Sequence, residues 1–281
     1  MKQDPKTIIS TDNDPGLHRN PIKQVINKAS LPFKIPKYHW VRDKVDKRDH
    51  PYQLTGATQS NIVDLRQYCS AIEDQGNLGS CTGNAIAGAI ELLDKRIGKN
   101  LDVSRLFIYY YERVYIGTVN YDSGAYIRDG IKTCYTYGAP VENLWPYNIT
   151  KFKTVPVAAA ITDAAKRKVT SYQRATNFNA VIDAITSGYP VVVGFDVYSS
   201  FQSASVARTG VMPYPNTKTE KLLGGHAVLI VGYNKTNNTF IVRNSWGTGW
   251  GDRGYFYMPF QVIQNTSMSS DFWIVKSVNN P

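Results

Sequence analysis

Residues 75–98 read QGNLGSCTGNAIAGAIELLDKRIG, and this stretch decides the fold of the chain. Apolar residues recur at helical spacing after Cys81, and Gly98 is a natural stop, so the pattern predicts a long, largely buried helix over 81–97. Cys81 opens that helix directly after a glycine-containing loop. The backbone N–H groups and the positive dipole end at such a position lower the pKa of a thiol. Cys81 is therefore the leading candidate for a nucleophile.

Further helices are predicted in the first half of the chain. Ser104 can cap a helix over 106–115, and another helix fits 126–137, where the next residue is a glycine. A short helix near 178–186 follows after the pattern changes at residue 147. The first half of the chain is therefore expected to be mainly helical.

The second half of the chain carries apolar runs of strand length. These runs are residues 191–197, 227–233, 239–244, 255–258 and 272–278. The turn at 235–238 joins two of them and predicts a β-hairpin. Because helices come before strands, the order favours an α+β fold over alternating βαβ units.

The composition of the 281-residue chain is that of a globular protein. Its 42% hydrophobic residues suffice for a core, and its 19% charged residues do not fit coiled-coil or wholly disordered classes. No apolar run reaches the roughly 18 residues of a membrane-spanning helix, so no membrane partner is expected. The first 20 residues carry charges and prolines where a secretory signal would be apolar. We therefore expect an intracellular, cytoplasmic protein without a classical signal peptide.

The net charge of +10 is concentrated near the N-terminus. Residues 1–60 hold eleven Lys and Arg against six Asp and no Glu. The signs alternate at 44–49, which favours a solvated mixed surface over a phosphate-binding stripe. Nucleic-acid binding by this segment is an alternative that we do not favour, and it would show a steep salt dependence.

A single histidine, His226, lies between residue 61 and the C-terminus. It is the only imidazole outside the N-terminal segment that could act as general base for Cys81. Asn244 ends the second strand of the predicted hairpin, and antiparallel pairing brings it back near His226. Its amide could hold the imidazole in orientation, and Trp246 could cover the contact and exclude water.

Three separate blocks of the sequence contain these candidate residues. They are QGNLGSC (75–81), GHAV (225–228) and NSWGTGWGDRGY (244–255). Together they resemble the active-site motifs of the papain and cathepsin family of cysteine proteases, and they come in the order of that family. The separation of 145 residues between Cys81 and His226 also suits it. The resemblance covers residues 61–276 and includes YG (137–138) and WPY (145–147).

The resemblance implies a role for each candidate residue. Cys81 is the nucleophile, His226 is the general base and later the acid, and Asn244 orients His226. The side-chain amide of Gln75 resembles the oxyanion-hole donor of the family. Substrate binding is carried over to Gly124, Ala125, Gly225 and Trp246.

The implied fold is papain-like α+β, with a cleft between a helical half at about 59–160 and a β-rich half at about 161–281. The implied activity is that of a monomeric cysteine endopeptidase that hydrolyses peptide or protein substrates without a cofactor or metal. Two alternatives remain open. One is a related acyl transfer, such as transpeptidation or deamidation, and the other is a noncatalytic binding module.

The chain departs from the family pattern at several positions. Leu78 stands where many members have a cysteine that bridges to the segment matching 122–125, which also lacks its cysteine. The three cysteines, Cys81 with Cys69 and Cys134, allow at most one bridge, which fits a reducing compartment. The missing bridge points to a microbial or viral member, with a virion location if it is viral. Thr82 replaces the usual aromatic residue after the nucleophile.

Residues 1–58 form a basic N-terminal arm, which we predict to be an inhibitory prosegment lying along the cleft, as in zymogens of this family. Its apolar anchors are Phe33, Ile35, Tyr38, Trp40 and Val41. A tail packed elsewhere is the alternative. Ion pairs of Asp43, Asp46 or Asp49 are expected to weaken on acidification and help release the arm. Cleavage between about residues 40 and 60 should raise activity.

Overall fold

Helices fill the first part of the chain and strands the second in a computed structural model that describes residues 38–279. The helices are α1 (Cys81–Arg96), α2 (Arg105–Tyr115), α3 (Ile127–Thr136), α4 (Ala158–Ala164), α5 (Phe178–Thr186), α6 (Ala204–Thr209) and α7 (Phe260–Gln264). The strands are β1 (Trp40–Val41), β2 (Ile62–Asp64), β3 (Ala125–Tyr126), β4 (Val169–Ala175), β5 (Val191–Tyr198), β6 (Leu222–Asn234), β7 (Thr239–Arg243), β8 (Tyr255–Pro259) and β9 (Ser269–Val278). The predicted α+β class is confirmed.

Helix α1 lies at the centre of the helical part, and most of its residues are buried. Its small residues let neighbouring elements approach closely: a Cβ added at Gly83 would lie 2.9 Å from the carbonyl oxygen of Arg105 in α2. The helix is followed by Gly98 at φ 80°, a left-handed conformation that glycine adopts without strain. In α2, Ser104 accepts a hydrogen bond from the backbone N–H of Phe107 at 3.2 Å, as expected of a cap.

The strands of the β-rich part form one antiparallel sheet in the order β4-β9-β5-β6-β7-β8, and β2 pairs with the far end of β6. Strands β6 and β7 form the hairpin predicted from the turn at 235–238, with Asn234 opposite Thr239. The hairpin brings the first half of β6 near the end of β7. His226 and Asn244 lie on these two stretches.

Apolar clusters cover both faces of the sheet. Val193 and Phe195 point into a cluster with α5, whereas Val192 points to the opposite face, towards α1 and Trp273. Alternate residues of a strand face opposite sides, so a strand buried on both faces reads as a continuous apolar run. This explains the uninterrupted apolar run at the start of β5.

Several elements were not predicted from the sequence. Strands β1 and β3 have two residues each, and β2 and β4 lack a long apolar run. Tyr52, near the end of the predicted arm, is only 6% exposed, and its hydroxyl donates to the Asp183 carboxylate at 2.9 Å. The last part of the arm therefore packs as part of the folded domain. No helix within residues 38–279 has the length and apolar character that a bilayer span requires.

Candidate active site

A short hydrogen bond joins the imidazole of His226 to the side-chain amide of Asn244. The His226 Nε2 to Asn244 Oδ1 distance is 2.8 Å, and both residues are buried. Because an amide oxygen can only accept, the imidazole proton lies on Nε2. The other ring nitrogen, Nδ1, has no hydrogen-bond partner among residues 38–279. His226 thus presents a basic nitrogen on the side away from Asn244.

The indole of Trp246 covers this pair. Its ring stacks on the His226 ring with a centroid separation of 4.9 Å and an interplanar angle of 24°. Burial lowers the pKa of His226 to about 4, although the hydrogen bond with Asn244 opposes the shift. The imidazole is therefore neutral at neutral pH in this arrangement.

Cys81 is the first residue of α1 and is fully buried. Burial raises the pKa of its thiol to about 11, with the charge of Glu112 acting in the same direction, while hydrogen bonds from the backbone of Ala227 and His39 oppose the shift. The contact with Ala227 places Cys81 against the residue that follows His226. The sequence predicted that the N–H groups at the helix N-terminus lower the thiol pKa, and with the arm in place burial outweighs the backbone hydrogen bonds that act in that direction.

Gln75 is fully buried and tied to the strand end that carries Asn244. Its Oε1 accepts a hydrogen bond from the Ser245 hydroxyl at 2.7 Å, and its Nε2 donates to the Leu78 carbonyl at 2.9 Å. The Tyr147 hydroxyl donates to the Gln75 carbonyl at 3.0 Å. The amide nitrogen carries two hydrogens, and only one of them is taken up by Leu78. Ser245 and Tyr147 were not singled out from the sequence.

Hydrogen bonds join the two segments that lack the family's bridging cysteines. The Gly79 N–H donates to Asp122 Oδ1 at 2.9 Å, and the Tyr109 hydroxyl donates to the same oxygen at 2.6 Å. The unusual Thr82 donates its hydroxyl to the buried Glu112 carboxyl at 2.6 Å. Burial raises the pKa of Glu112 to about 8. Both departures from the family pattern are thus accommodated by polar contacts.

The described part of the N-terminal arm occupies the space in front of these residues. Strand β1 pairs in parallel with β3, so that Trp40 lies opposite Ala125. A Cβ added at Gly124 would overlap His39, and a Cβ added at Gly225 would lie 2.6 Å from Trp40 Cε3. These two glycines and Ala125 were three of the four predicted substrate-binding residues. All three lie against the arm.

The fourth predicted substrate-binding residue, Trp246, also contacts the arm. The Tyr38 ring lies 5.9 Å from the Trp246 ring and 6.1 Å from the His226 ring, measured between centroids. The Tyr38 hydroxyl accepts a hydrogen bond from Gln202 Nε2 at 2.5 Å. The predicted anchors Phe33 and Ile35 lie outside the described residues.

Gly194, which the sequence did not single out, forms a wall of the pocket that holds the arm. Trp40 is 6% exposed, and a Cβ added at Gly194 would overlap its indole. The signal was present, because a glycine inside an apolar strand marks a close approach of another group. Within residues 38–279, no three His, Cys, Asp or Glu side chains are grouped to hold a metal ion.

Comparison with known proteins assigns the class of this site. The family model for the papain family of cysteine proteases matches residues 59–275. The chain belongs to this family and is a papain-type cysteine endopeptidase, a hydrolase.

Its relatives include proteins of viruses, bacteria and animals. An uncharacterized peptidase C1-like protein of Acanthamoeba polyphaga mimivirus is 39% identical, covering 87% of this chain and 88% of the relative. Xylellain, a cysteine protease from Xylella fastidiosa, is 37% identical with a TM-score of 0.79, covering 85% of this chain and 96% of that structure. A cathepsin L-like proteinase of Fasciola hepatica is 29% identical over 74% of this chain and 63% of its own length. The fold is also that of procathepsin L 3 from Tenebrio molitor, at 23% identity, a TM-score of 0.66 and coverage of 80% of this chain and 73% of that one.

Proposed function

We propose that Cys81, His226, Asn244 and Gln75 perform peptide-bond hydrolysis in this endopeptidase, and that the N-terminal arm holds the enzyme inactive. The observation that carries the proposal is the His226–Asn244 hydrogen bond, which leaves Nδ1 as the basic nitrogen. The hydrogen bond between Cys81 and the backbone of Ala227 supports it, because it puts the thiol beside the His226 segment.

The chemistry follows from these roles once the arm has left the cleft. His226 Nδ1 takes the thiol proton, and Cys81 Sγ forms a bond to the carbonyl carbon of the substrate. The oxyanion accepts hydrogen bonds from the Cys81 backbone N–H and the Gln75 amide. Nδ1 then gives its proton to the leaving amine as the C–N bond breaks. A water molecule loses a proton to Nδ1, attacks the thioester, and releases the carboxylic acid and the thiol.

The seated arm opposes each requirement of that chemistry. The His39 backbone contacts the Cys81 sulfur, and Trp40 fills the pocket next to Gly225. With water excluded, the thiol stays protonated and the imidazole stays neutral, so no thiolate is available for attack. The parallel pairing of β1 with β3 supports a segment held in place by its backbone as well as its side chains.

Labelling with a peptidyl vinyl sulfone tests the nucleophile. After the arm is cut, we expect rapid modification of Cys81, and slow or no modification of Cys69 and Cys134, which are buried. Cys81→Ser is the matched control and should lose both labelling and peptidase activity while it keeps its melting temperature. Equal labelling of all three cysteines would refute the assignment. Hydrolysis of a peptide by Cys81→Ser at the rate of the parent enzyme would also refute it. Analysis of the products with and without an added amine separates hydrolysis from acyl transfer.

A further inference from the structure

Behind the cleft, charged side chains hold the arm to the domain. The Asp49 carboxylate of the arm contacts Arg128 at 2.6 Å and Arg174 at 2.8 Å. Arg174 also contacts the Asp271 carboxylate at 2.9 Å, and the Asp271 side chain is only 1% exposed. We call Asp43, Asp49, Asp271, Arg128 and Arg174 the acidic clamp.

Asp43 occupies the middle of the acidic clamp without an ion pair of its own. Its carboxyl accepts hydrogen bonds from the Trp273 indole N–H at 2.7 Å and from the Arg128 backbone N–H at 3.3 Å. Its own backbone N–H donates to the Asp271 carboxylate at 2.8 Å. None of the ion pairs found within residues 38–279 includes Asp43. Asp43 therefore meets Asp271 at the interface between arm and domain through its backbone N–H, with no cation of its own among the described residues.

The charges of the acidic clamp do not balance. Three carboxyl groups face two guanidinium groups, which leaves one negative charge without compensation in a largely desolvated interface. Burial, together with the charge of Asp271, raises the pKa of Asp43 to about 7, and burial raises the pKa of Asp271 as well. Two neighbouring carboxyl groups in a largely desolvated interface take up a proton more readily than either would alone.

We propose that a proton taken up by Asp43 beside Asp271 locks the arm in the cleft, so that the arm is held most tightly at acidic pH and loosens as the pH rises towards neutrality. This inference rests on the proposed inhibition by the arm. It reverses the expectation from the sequence that acidification helps release. Asp46, one of the residues behind that expectation, pairs with Arg48 inside the arm and not with the domain.

The direction in which docking of the arm depends on pH follows from proton linkage. In a released arm Asp43 is exposed and has an ordinary pKa near 4, so docking raises its pKa and takes up a proton. The stabilisation from this proton is fully present below about pH 4 and is lost as the pH rises through about 7. Over that window the docking equilibrium weakens by up to about tenfold per pH unit.

Other titratable and polar groups lie near the acidic clamp. Lys44, Asp46 and Asp129 line a crevice of about 490 Å³ beside Asp43, and Ser270 and the Trp40 indole lie beside Asp271. On the cleft side of the arm, His39 lies with Nδ1 3.9 Å from Asp122 Oδ1.

Cys81 and His226 also titrate, but together they do not make docking of the arm depend on pH. Cys81 and His226 hold one proton between them in both states, as thiol and imidazole when covered and as thiolate and imidazolium when open, so docking transfers no proton there. If only Cys81 were removed, His226 would still titrate and would favour release at low pH. Tests of the acidic clamp therefore need a background in which both residues are replaced.

Hydrogen exchange of the full-length chain tests the proposal without relying on activity. In the Cys81→Ala, His226→Gln background, protection of the backbone amides of residues 38–43 is measured from about pH 5 to about pH 8 and corrected for the intrinsic exchange rate. We expect protection to fall by at least about tenfold over this range. Asp43→Asn should abolish the pH dependence, and Asp271→Asn should reduce it, because burial of Asp43 is the larger cause of its raised pKa. Asp271 has φ 60°, a conformation that asparagine tolerates, so Asp271→Asn is expected to fold. It provides a second test if Asp43→Asn fails to fold.

Two matched variants identify the responsible group. Asp46→Asn removes an arm carboxylate outside the acidic clamp, and His39→Gln removes the imidazole beside Asp122, so both should keep the slope if Asp43 is the responsible group. Protection that is independent of pH, that rises with pH, or that loses its slope only in His39→Gln would overturn the proposal. These outcomes leave the peptidase assignment intact. Equal activity of the cut and the uncut enzyme would instead refute the proposal that the arm inhibits the enzyme.

Discussion

At the scale of single residues, Gly194 controls how large a side chain the cleft can hold. Gly194→Ala places a methyl group where the Trp40 indole now lies, so the arm should dock less tightly. We expect the uncut variant to be more active than the uncut parent on a small fluorogenic peptide. Once the arm is cut, the variant should disfavour substrates with a bulky aromatic side chain at the corresponding position.

Gly249→Ala is the matched control for this change, because a Cβ at Gly249 meets no atom within 4 Å. It should behave as the parent in both assays. If the parent and Gly194→Ala had the same activity before cutting and the same side-chain preference afterwards, Trp40 would not be bound through this pocket.

Gln75 is the second residue with a specific expectation. Gln75→Ala should lower kcat by roughly one hundred- to one thousandfold with KM nearly unchanged, because an oxyanion donor acts mainly in the transition state. The assay uses the arm-cut enzyme. Ser245→Ala removes only the hydroxyl that holds Gln75 Oε1 and should have a smaller effect of the same kind. A change confined to KM would assign Gln75 to substrate binding.

The candidate catalytic residues could be predicted from the sequence because they stand in short, recognisable motifs. Cys81, His226 and Asn244 stand in blocks whose spacing and residue types identify them. A glycine inside an apolar strand signals a close approach at Gly194, but neither its partner Trp40 nor the contact of Gly79 with Asp122 follows from a local pattern, because these contacts join positions far apart in the chain. The raised pKa of Cys81 could not be predicted from its position at a helix N-terminus, since it depends on what covers the site.

At the scale of elements, the arm consists of two segments with different attachments. Residues 38–43 occupy the cleft, whereas Tyr52 and Thr55 are anchored on Asp183. Between them, residues 44–48 face solvent, with Val45 95% exposed and the Arg48 side chain 85% exposed. This connection is the accessible point for cleavage.

Within residues 38–64, limited trypsin digestion should therefore cut first after Lys44, Lys47 or Arg48, and peptidase activity should rise as this cut product accumulates. Mass spectrometry of the new N-terminus, together with an assay after dilution to let the cut segment dissociate, checks both statements. A variant with all three basic residues changed to glutamine should resist cutting and stay inactive. A first cut inside residues 51–64 would contradict the expected exposure.

The helices and long strands could be predicted because their apolar patterns are local. Helix α1 and the β6–β7 hairpin follow from spacing and turn residues. Strands β1 and β3 have two residues each and exist only as partners of one another, 85 residues apart. A pattern read along the chain does not contain such a pairing.

At the scale of the whole molecule, we expect docking of the arm to change the ionisation of the site. When it is seated, the pKa of Cys81 is about 11 and that of His226 is about 4, so thiol and imidazole are both neutral between these values. The rate of alkylation of Cys81 by iodoacetamide should then stay low in the uncut chain until strongly alkaline pH. In the cut chain the rate should be high near neutral pH. Identical pH profiles for the two forms would show that the arm does not control ionisation.

The hydrogen bonds from Gly79 and Tyr109 to Asp122 have a practical consequence for handling and for redox chemistry. Relatives that join these segments by sulfur contain a bond that a strong reductant can open. In this chain all three cysteines are free, and Cys69 and Cys134 are buried. Concentrated dithiothreitol can therefore keep the nucleophile reduced without loosening the scaffold, and the melting temperature should be the same with and without it.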